Sequence, residues 1–376
     1  MSYDKLINSR TTIDKAGATL LNKFATLDTR EAALDVLANW RSAHAFPLNT
    51  MTMDLRQKIN RIHADAFVVQ RLKRTRSILA KLSKESSMRL TQMQDIGGCR
   101  AVVETMDQVY ELRDLYKKSR SQHVFFTEDD YIAVPKDSGY RSFHLVYRFN
   151  SRSHPEYNKL LFEIQLRTRT QHAWATAVET VGAVIGQALK SGEGEEKWLK
   201  YFQDAATALA MTENAPLGRD ASVSNQTIAS SLADLDKELQ VQKKLGAYRV
   251  ALKATEKHGF KSAGYFLLVL LPDTPELKIF SFSKRNVEAA YREYEKFERN
   301  LPIYSHGTQL SLFPELDDYS GAQAVLVGAD SFRSIRESYP NYYLDTETFL
   351  EKIEFFIKTY YKEPENDDRL FPQCNM

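Results

Sequence analysis

The sequence predicts an α/β (α+β) protein: a mixed β-sheet core flanked by helices, followed by a second, smaller C-terminal α/β domain. Three observations predict this architecture. From Phe67 onward, short runs rich in β-branched and aromatic residues alternate with amphipathic segments, which is typical of a sheet layered with helices. The chain before Phe67 has apolar residues at helical spacing only. A polar stretch at residues 217–230, LGRDASVSNQTIAS, separates the first series of elements from a second one.

Each element of the first series can be placed in order. LDTREAALDVLANWRSAH is predicted to be helical, and Pro47 is expected to break the helix before TMTMDLRQKINRIHADA forms the next one. The predicted strands are FVVQRLK, GCRAVVET, HVFFT, SFHLVYRF and KLLFEIQLRT. The predicted helices among them are TRSILAKLSKES, DQVYELRDLYKKSR and TQHAWATAVETVGAVIG, after which KSGEGEEKW interrupts the helical pattern.

The second series predicts a β-hairpin over SAGYFLLVLLPDTPELKIFSFSK, a helix over NVEAAYREYEKFERN, a strand over AQAVLVGAD and a final helix over DTETFLEKIEFFIKTYY. We therefore divide the chain into a helical segment at 1–45, a sheet-and-helix domain at 46–215, a helical linker at 216–260 and the C-terminal domain at 261–376. The dense aromatic run at 339–349, YPNYYLDTETF, is interpreted either as the core of the small domain or as a surface that folds back on the first domain.

The composition excludes several classes of protein. With 43% hydrophobic residues among 376, the chain can build buried cores, which excludes wholesale disorder. A net charge of +2 excludes a protein that coats nucleic acid by charge alone. The longest apolar run, YFLLVLLP, is too short to span a bilayer, and the N-terminus lacks the apolar core of a signal peptide. With only two cysteines, Cys99 and Cys374, these features predict a cytoplasmic protein without a membrane partner.

The strand FEIQLRT carries the clearest chemical pattern. Because side chains alternate along a strand, Glu163, Gln165 and Arg167 share one face, and the opposite face is apolar. A half-exposed antiparallel strand would give the same pattern. Asp95, in DIGGCR, precedes another strand, and together with Glu163 it could hold Mg²⁺, which takes few protein carboxylates. Taken alone, Asp95 is equally typical of a turn.

Cations are concentrated at residues 71–84, RLKRTRSILAKLSK, where Lys81 follows Ser77 by one helical turn. They either form a solvated face or converge on a triphosphate. The sequence contains no GxxxxGK and no GxGxxG pattern, so neither a P-loop nor a Rossmann site is supported.

A second basic segment, KDSGYRSFH, places Lys136, Tyr140, Arg141 and His144 around Gly139. A flexible glycine next to an aromatic ring and phosphate-binding side chains is expected where a base stacks and its phosphates are held. An ordinary hairpin would account for the same residues.

Taken together, four motifs resemble the RelA/SpoT-type (p)ppGpp synthetase domain over about residues 45–210: RLKRTRSILAK, DIGGCR, YIAVPKDSGYRSFH and EIQLRT. The resemblance implies an ATP-dependent pyrophosphokinase that moves the β,γ-pyrophosphate of ATP to a ribose 3′-hydroxyl and releases AMP. It also implies the residue roles. The catalytic and Mg²⁺-binding residues would be Asp95 and Glu163. The ATP-binding residues would be Arg71, Lys73, Ser77, Lys81 and Arg100. The acceptor-binding residues would be Lys136, Tyr140, His144, Gln165 and Arg167, with Tyr140 stacked on the acceptor base.

The resemblance leaves the acceptor open. GDP or GTP would make the protein an alarmone synthetase. The 3′-CCA end of tRNA would make it a toxin that blocks translation, restrained by its C-terminal domain as in fused toxin–antitoxin proteins of the CapRel type, which sense a phage protein. A catalytically silent nucleotide sensor is a third hypothesis. No His-Asp dipeptide occurs, so the hydrolase activity of longer family members is not expected. The family also includes homo-oligomers, and the sequence does not decide the oligomeric state.

The sequence departs from the family pattern at two places. Ser138 stands where the family commonly has Asn before the acceptor-loop glycine. After HAWATAVE, the family often continues with His and a Tyr-Lys pair, and this chain has TVGAVIG instead. Both departures lie on the acceptor side, so they bear on the identity of the acceptor more than on ATP binding.

Overall fold

The computed structural model describes residues 3–62, 66–184, 187, 189–218, 222–239, 241, 245, 265–270, 277–299, 323–328 and 345–361. Most of the predicted linker after residue 240 and residues 339–344 of the aromatic run lie outside the described residues. The predicted domain boundaries stay predictions.

The predicted α/β class is confirmed, because helices and strands alternate around a mixed sheet. The helices are α1 (Arg10–Leu21), α2 (Leu27–Ser42), α3 (Ala45–Ile59), α4 (Thr75–Lys84), α5 (Met106–Lys118), α6 (Arg169–Val184), α7 (Glu196–Thr212), α8 (Asn225–Leu239), α9 (Val287–Arg299) and α10 (Asp345–Tyr360). The strands are β1 (Phe67–Leu72), β2 (Gly97–Val103), β3 (Val124–Asp130), β4 (Phe143–Arg148), β5 (Leu161–Thr168), β6 (Tyr265–Leu270), β7 (Leu277–Phe282) and β8 (Gln323–Gly328).

Two helices differ from the sequence prediction. The break between α2 and α3 lies before Pro47, which occupies the first turn of α3, where a missing backbone N–H leaves no helical hydrogen bond unmade. Helix α7 was not predicted at all, because the polar residues of KSGEGEEKW were interpreted only as an interruption. This helix matters for the site, since it packs against the turn at Gly139.

The first sheet has the strand order β1-β2-β5-β4-β3, in which only β2 and β5 are parallel. Its apolar face carries residues such as Cys99, Leu145 and Ile164. They form one core with buried side chains of the N-terminal helices, including Leu37 of α2 and Met51 of α3. The segment before β1 is therefore part of the core of this sheet.

A second core lies among α6, α7, α8 and α10 and includes Tyr140 and Trp174. Helix α10 contributes Phe349, Ile353 and Phe356 to it. The final helix, which the sequence analysis assigns to the C-terminal domain, thus packs against helices of the first domain. For Phe349 this packing favours the second interpretation of the aromatic run, a surface that folds back.

The remaining described C-terminal elements form a small antiparallel sheet with the order β7-β6-β8. The predicted hairpin over β6 and β7 is confirmed. Helix α9 packs on this sheet, where Ala290 and Tyr294 join Leu267, Val269 and Phe282 in a small core. Within the described part of the chain, no helix has both the length and the apolar character needed to cross a bilayer.

Candidate active site

The face of the first sheet opposite the apolar core carries a row of polar side chains. In the strand register, Gln165 of β5 lies between Arg100 of β2 and His144 of β4, so the three side chains share one face. Arg167 is 1% exposed and His144 is 7% exposed. Glu163 and Gln165 are half-buried. The polar face is therefore largely covered by other parts of the protein, which does not favour the alternative of a half-exposed strand.

A chain of hydrogen bonds runs along this face from Tyr140 to Gln165. The Tyr140 hydroxyl lies 2.9 Å from Nε2 of His144, and Nδ1 of His144 lies 2.8 Å from Oε1 of Glu163. Gln165 donates its side-chain amide to Oε2 of Glu163 at 2.6 Å. Both oxygens of the Glu163 carboxylate are thus held, which fixes the orientation of the group.

Charge reinforces this chain. Burial disfavours the charged His144 ring, but Tyr140 and Glu163 outweigh burial and raise the pKa of His144 to about 9. Burial likewise opposes ionisation of Tyr140, yet His144, Arg167 and Lys190 together lower its pKa to about 7. Burial also opposes ionisation of Glu163, but the contacts with His144 and Gln165 hold its pKa well below the ordinary value. The carboxylate of Glu163 is therefore ionised at neutral pH.

Asp95 lies just before β2 and is paired with two of the predicted phosphate-binding cations. Nζ of Lys73 is 2.7 Å from Oδ2 of Asp95, and Nζ of Lys81 is 3.4 Å from Oδ1. Burial opposes ionisation of Asp95, but the two lysines more than compensate and lower its pKa. Glu163 is close enough to act in the opposite direction on Asp95, so both carboxylates belong to one site. Ser77 lies half-buried near the start of α4, one turn before Lys81.

The predicted guanidinium groups also converge. Arg71 of β1 pairs in register with Gly98, next to the strand that carries Glu163. Arg100 and Arg167 both donate to Oε1 of Gln165 at 3.1 Å. Burial lowers the pKa of Arg100, and the neighbouring Arg167 and Arg71 lower it further. Such mutual repulsion between buried cations is expected where a protein binds an anion.

The turn before Tyr140 depends on Gly139. Its φ angle is +86°, and the Gly139 N–H donates to the Lys136 carbonyl at 2.8 Å. A Cβ atom at Gly139 would lie 2.6 Å from Cβ of Ala206 in α7. Arg141 is buried and donates to the Gly139, Ala206 and Pro216 carbonyls, so it holds the turn in place.

The Tyr140 ring is covered, contrary to the expectation of a bare aromatic side chain. It is 5% exposed. Its neighbours include Trp174, Lys136 and Lys190, with the two ammonium nitrogens 5.6 and 5.5 Å from the ring centroid. Lys136 itself is exposed and lies 4.2 Å from the ring centroid of Tyr131. A base can stack on Tyr140 only after one of these neighbours moves.

Sequence reasoning missed two charged residues of the site, Lys190 and its partner Glu179. Glu179 belongs to α6 and ends the segment HAWATAVE, for which the sequence analysis predicts no charged partner. Lys190 was treated only as part of an interruption. The apolar spacing of residues 196–212 is the signal that could have predicted α7, the helix that follows Lys190.

Among the described residues, no group of three or more His, Cys, Asp or Glu side chains is placed to hold a metal ion. Mg²⁺ does not need such a cluster, because it is commonly bound by one or two carboxylates plus substrate phosphates and water. Asp95 and Glu163 are ionised oxygen ligands within one site, so they fit this ion.

Comparison with known proteins agrees with the motifs. Residues 70–181 match the family model described as the region found in RelA / SpoT proteins. Over these residues the chain is therefore similar to the region found in RelA / SpoT proteins. It contains both carboxylates, the paired lysines and the Tyr140 turn described above.

Two curated relatives come from Bacillus subtilis strain 168. The GTP pyrophosphokinase YjbM is 35% identical over 112 residues, which are 29% of this chain and 53% of the relative. The GTP pyrophosphokinase YwaC is 30% identical over 139 residues, which are 34% of this chain and 65% of the relative. The chain thus spans between half and two thirds of the length of these relatives.

Solved structures similar to this chain include two bacterial proteins. Small alarmone synthetase 1 from Bacillus subtilis, bound to its product pppGpp, is 26% identical, with 46% of this chain and 93% of that chain covered and a TM-score of 0.40. A GTP pyrophosphokinase family protein from Streptococcus pneumoniae is 25% identical, with 50% and 91% covered and a TM-score of 0.41.

Proposed function

We propose that the chain is an ATP-dependent pyrophosphokinase that transfers the β,γ-pyrophosphate of ATP to the ribose 3′-hydroxyl of GDP or GTP, forming (p)ppGpp and AMP. One observation carries the proposal: within the region similar to RelA / SpoT proteins, two ionised carboxylates, Asp95 and Glu163, share a partly buried site with Lys73 and Lys81. The names of the curated relatives, both GTP pyrophosphokinases, support the same reaction.

The arrangement suits phosphoryl-type transfer, which depends on positioning and charge neutralisation more than on covalent help. Asp95 and Glu163 would hold Mg²⁺, which supplies neutralisation of phosphate charge when bound. Lys73 and Lys81 would donate to the phosphates of ATP, and Arg71 and Arg100 would enclose its adenine. Glu163 is oriented by His144 and Gln165 toward the acceptor side. Because its pKa is so low, Glu163 is a weak base. We therefore assign it the role of positioning the acceptor and Mg²⁺ rather than that of a general base.

The test is transfer of label from γ-labelled ATP in the presence of Mg²⁺, with GDP, GTP and bulk tRNA offered separately to the full chain. Label on GDP or GTP that disappears in Asp95→Asn is the expected result. Asp107→Asn, an exposed aspartate in the first turn of α5, is the matched control. Label on neither nucleotide would contradict the proposal, and nucleotide binding without transfer would favour the silent sensor.

A second candidate function is a tRNA-modifying toxin restrained by its C-terminal domain, and one contact favours the restraint. Arg41 of α2 is 2% exposed and donates to Glu295 at 2.8 Å and to the Tyr294 hydroxyl at 3.1 Å. Its Nε donates to the backbone carbonyl of Lys73 at 2.9 Å. Through Arg41, helix α9 is therefore one side chain away from a predicted phosphate-binding residue.

Point substitutions test this restraint better than a truncation near residue 245. A truncation would also remove α10, whose buried Phe349 and Phe356 complete the core beneath α6. For the toxin we expect Glu295→Gln to increase label transfer to tRNA and growth arrest, with Glu288→Gln, exposed on the same helix, as control. Equal activity of both variants and the parent would exclude restraint through Arg41.

A further inference from the structure

A charged pair closes the acceptor side of the site. Nζ of Lys190, in the short turn after α6, contacts Oε1 of Glu179. The same ammonium lies 5.5 Å from the ring centroid of Tyr140. Side-chain exposure is 26% for Lys190 and 17% for Glu179, so the contact is shielded from water. Neither residue belongs to the four motifs on which the RelA/SpoT resemblance rests.

The surroundings of this pair carry a surplus of positive charge. Arg167 is 1% exposed, and its Nε and one terminal nitrogen are buried without a hydrogen-bond partner among the described residues. Glu179 is the carboxylate that compensates Arg71 and Arg100 as well as Lys190. A buried guanidinium with unmade hydrogen bonds is costly, so this cluster is built for an anion that supplies more negative charge than one carboxylate.

We propose that Lys190 is a specificity-determining residue of the acceptor subsite. In this conformation Glu179 holds the Lys190 side chain over Tyr140. An acceptor with a 5′-diphosphate or 5′-triphosphate draws the Lys190 ammonium away from Glu179. The inference rests on the proposed function and names its substrate class, a free nucleoside polyphosphate. A terminal polyphosphate carries two or more negative charges, whereas the phosphodiester next to a polynucleotide 3′ end carries one. Only the former competes well with Glu179 for the ammonium.

A single movement of Lys190 would serve two purposes. It would uncover the Tyr140 ring, which is covered in this structure and cannot receive a base. It would also bring a three-donor ammonium to the phosphates. The cost of breaking the pair is limited, because Glu179 keeps its attraction to Arg71 and Arg100 after Lys190 has left.

The test is calorimetric titration of the full chain with GDP and with guanosine. We expect Lys190→Gln to weaken GDP binding about tenfold or more, the scale of a lost hydrogen bond to a charged group. Guanosine, which has no phosphate to draw Lys190 away, should bind this variant at least as tightly as the parent chain. Glu179→Gln should act in the opposite direction and tighten GDP binding, because it releases Lys190. Lys190→Arg should keep most of the GDP affinity. The control is Lys197→Gln, which breaks an exposed pair with Glu238.

Equal GDP affinity of Lys190→Gln and the parent would overturn the inference. So would weakening by both Lys190→Gln and Glu179→Gln with a lower melting temperature, which indicates a structural pair, or the absence of GDP binding to the parent chain. Because titration needs no turnover, GDP binding that depends on Lys190 without label transfer would refute only the proposed function. Label transfer to GDP that ignores Lys190 would refute only the specificity role.

Discussion

The two faces of the five-stranded sheet contrast sharply although the same strands build them. On one face, Cys99, Leu145 and Ile164 lie in a continuous apolar core, where shape and volume decide stability. On the other face, Glu163 and Gln165 form side-chain hydrogen bonds that depend on the carboxylate and the amide group. Adjacent residues of β5 therefore have different roles. Substitutions one position apart should lower catalytic activity in one case and stability in the other.

The largest effect is expected on the polar face. Glu163→Gln removes a charge that the proposed Mg²⁺ site and the charged His144 ring would both use, so pyrophosphate transfer should fall by at least about a hundredfold. Thermal melting of the purified variant should show a folded protein. Glu128→Gln, at the edge strand of the same sheet, is the matched control and should keep its activity. A Glu163→Gln protein with more than a tenth of the parental rate would contradict the site.

On the apolar face, Ile164→Ala should lower the free energy of unfolding by about 2–5 kcal/mol, because it removes buried methyl groups and leaves a cavity. Ile164 is 0% exposed. Urea denaturation measures the loss, and activity per folded molecule should stay close to that of the parent. Loss of activity without loss of stability would mean that the two faces are not functionally separate.

The turn that joins the polar face to α7 can be broken at Gly139. Gly139→Ala combines a φ of +86° with a Cβ that would meet Ala206 at 2.6 Å, and it should destabilise the protein by about 1–3 kcal/mol. It should also raise KM for the acceptor more than KM for ATP. Gly192→Ala separates the two causes, because its φ is +75° but its Cβ would have no neighbour within 4 Å. Equal costs at both positions would exclude the contact with α7.

The smallest expected effect is on the pH dependence of stability and concerns His172 of α6, which contacts Asp345 at the start of α10. Burial lowers its pKa from 6.5 to about 3, although the contact with Asp345 at 3.2 Å acts in the opposite direction. Below pH 6.5 the unfolded chain binds a proton that the folded chain does not, so stability should fall as the pH decreases toward 3.

Between pH 7.5 and 5.5 this residue should account for a loss of about 1 kcal/mol, which His172→Gln would abolish. Melting curves at several pH values provide the measurement. His154→Gln, which replaces a histidine with an exposed ring, is the control for the substitution itself. An unaltered slope in His172→Gln would contradict a neutral buried ring.

Much of the architecture could be predicted because its signals are local. The alternation in FEIQLRT separates the apolar from the polar face, and helical spacing in DQVYELRDLYKKSR marks α5, because each pattern follows from the geometry of a single element. Helix α7 is not predicted because the residues just before it, KSGEGE, are polar and rich in glycine and glutamate and mask the apolar spacing that follows. The packing of α10 against α6 is one of two interpretations that the sequence leaves open, since an apolar stripe does not identify the surface that it packs against.

The sequence by itself determined the residue types of the site and their order along the chain. Asp95, Glu163 and the cations around them are predicted from motif and alternation. Only the tertiary structure decided that the polar face is largely covered, that Arg141 holds a turn, and that Lys190, paired with Glu179, lies beside Tyr140. The physical reason is that alternation fixes which way a side chain points from its own strand, whereas burial and pairing depend on elements distant in the sequence.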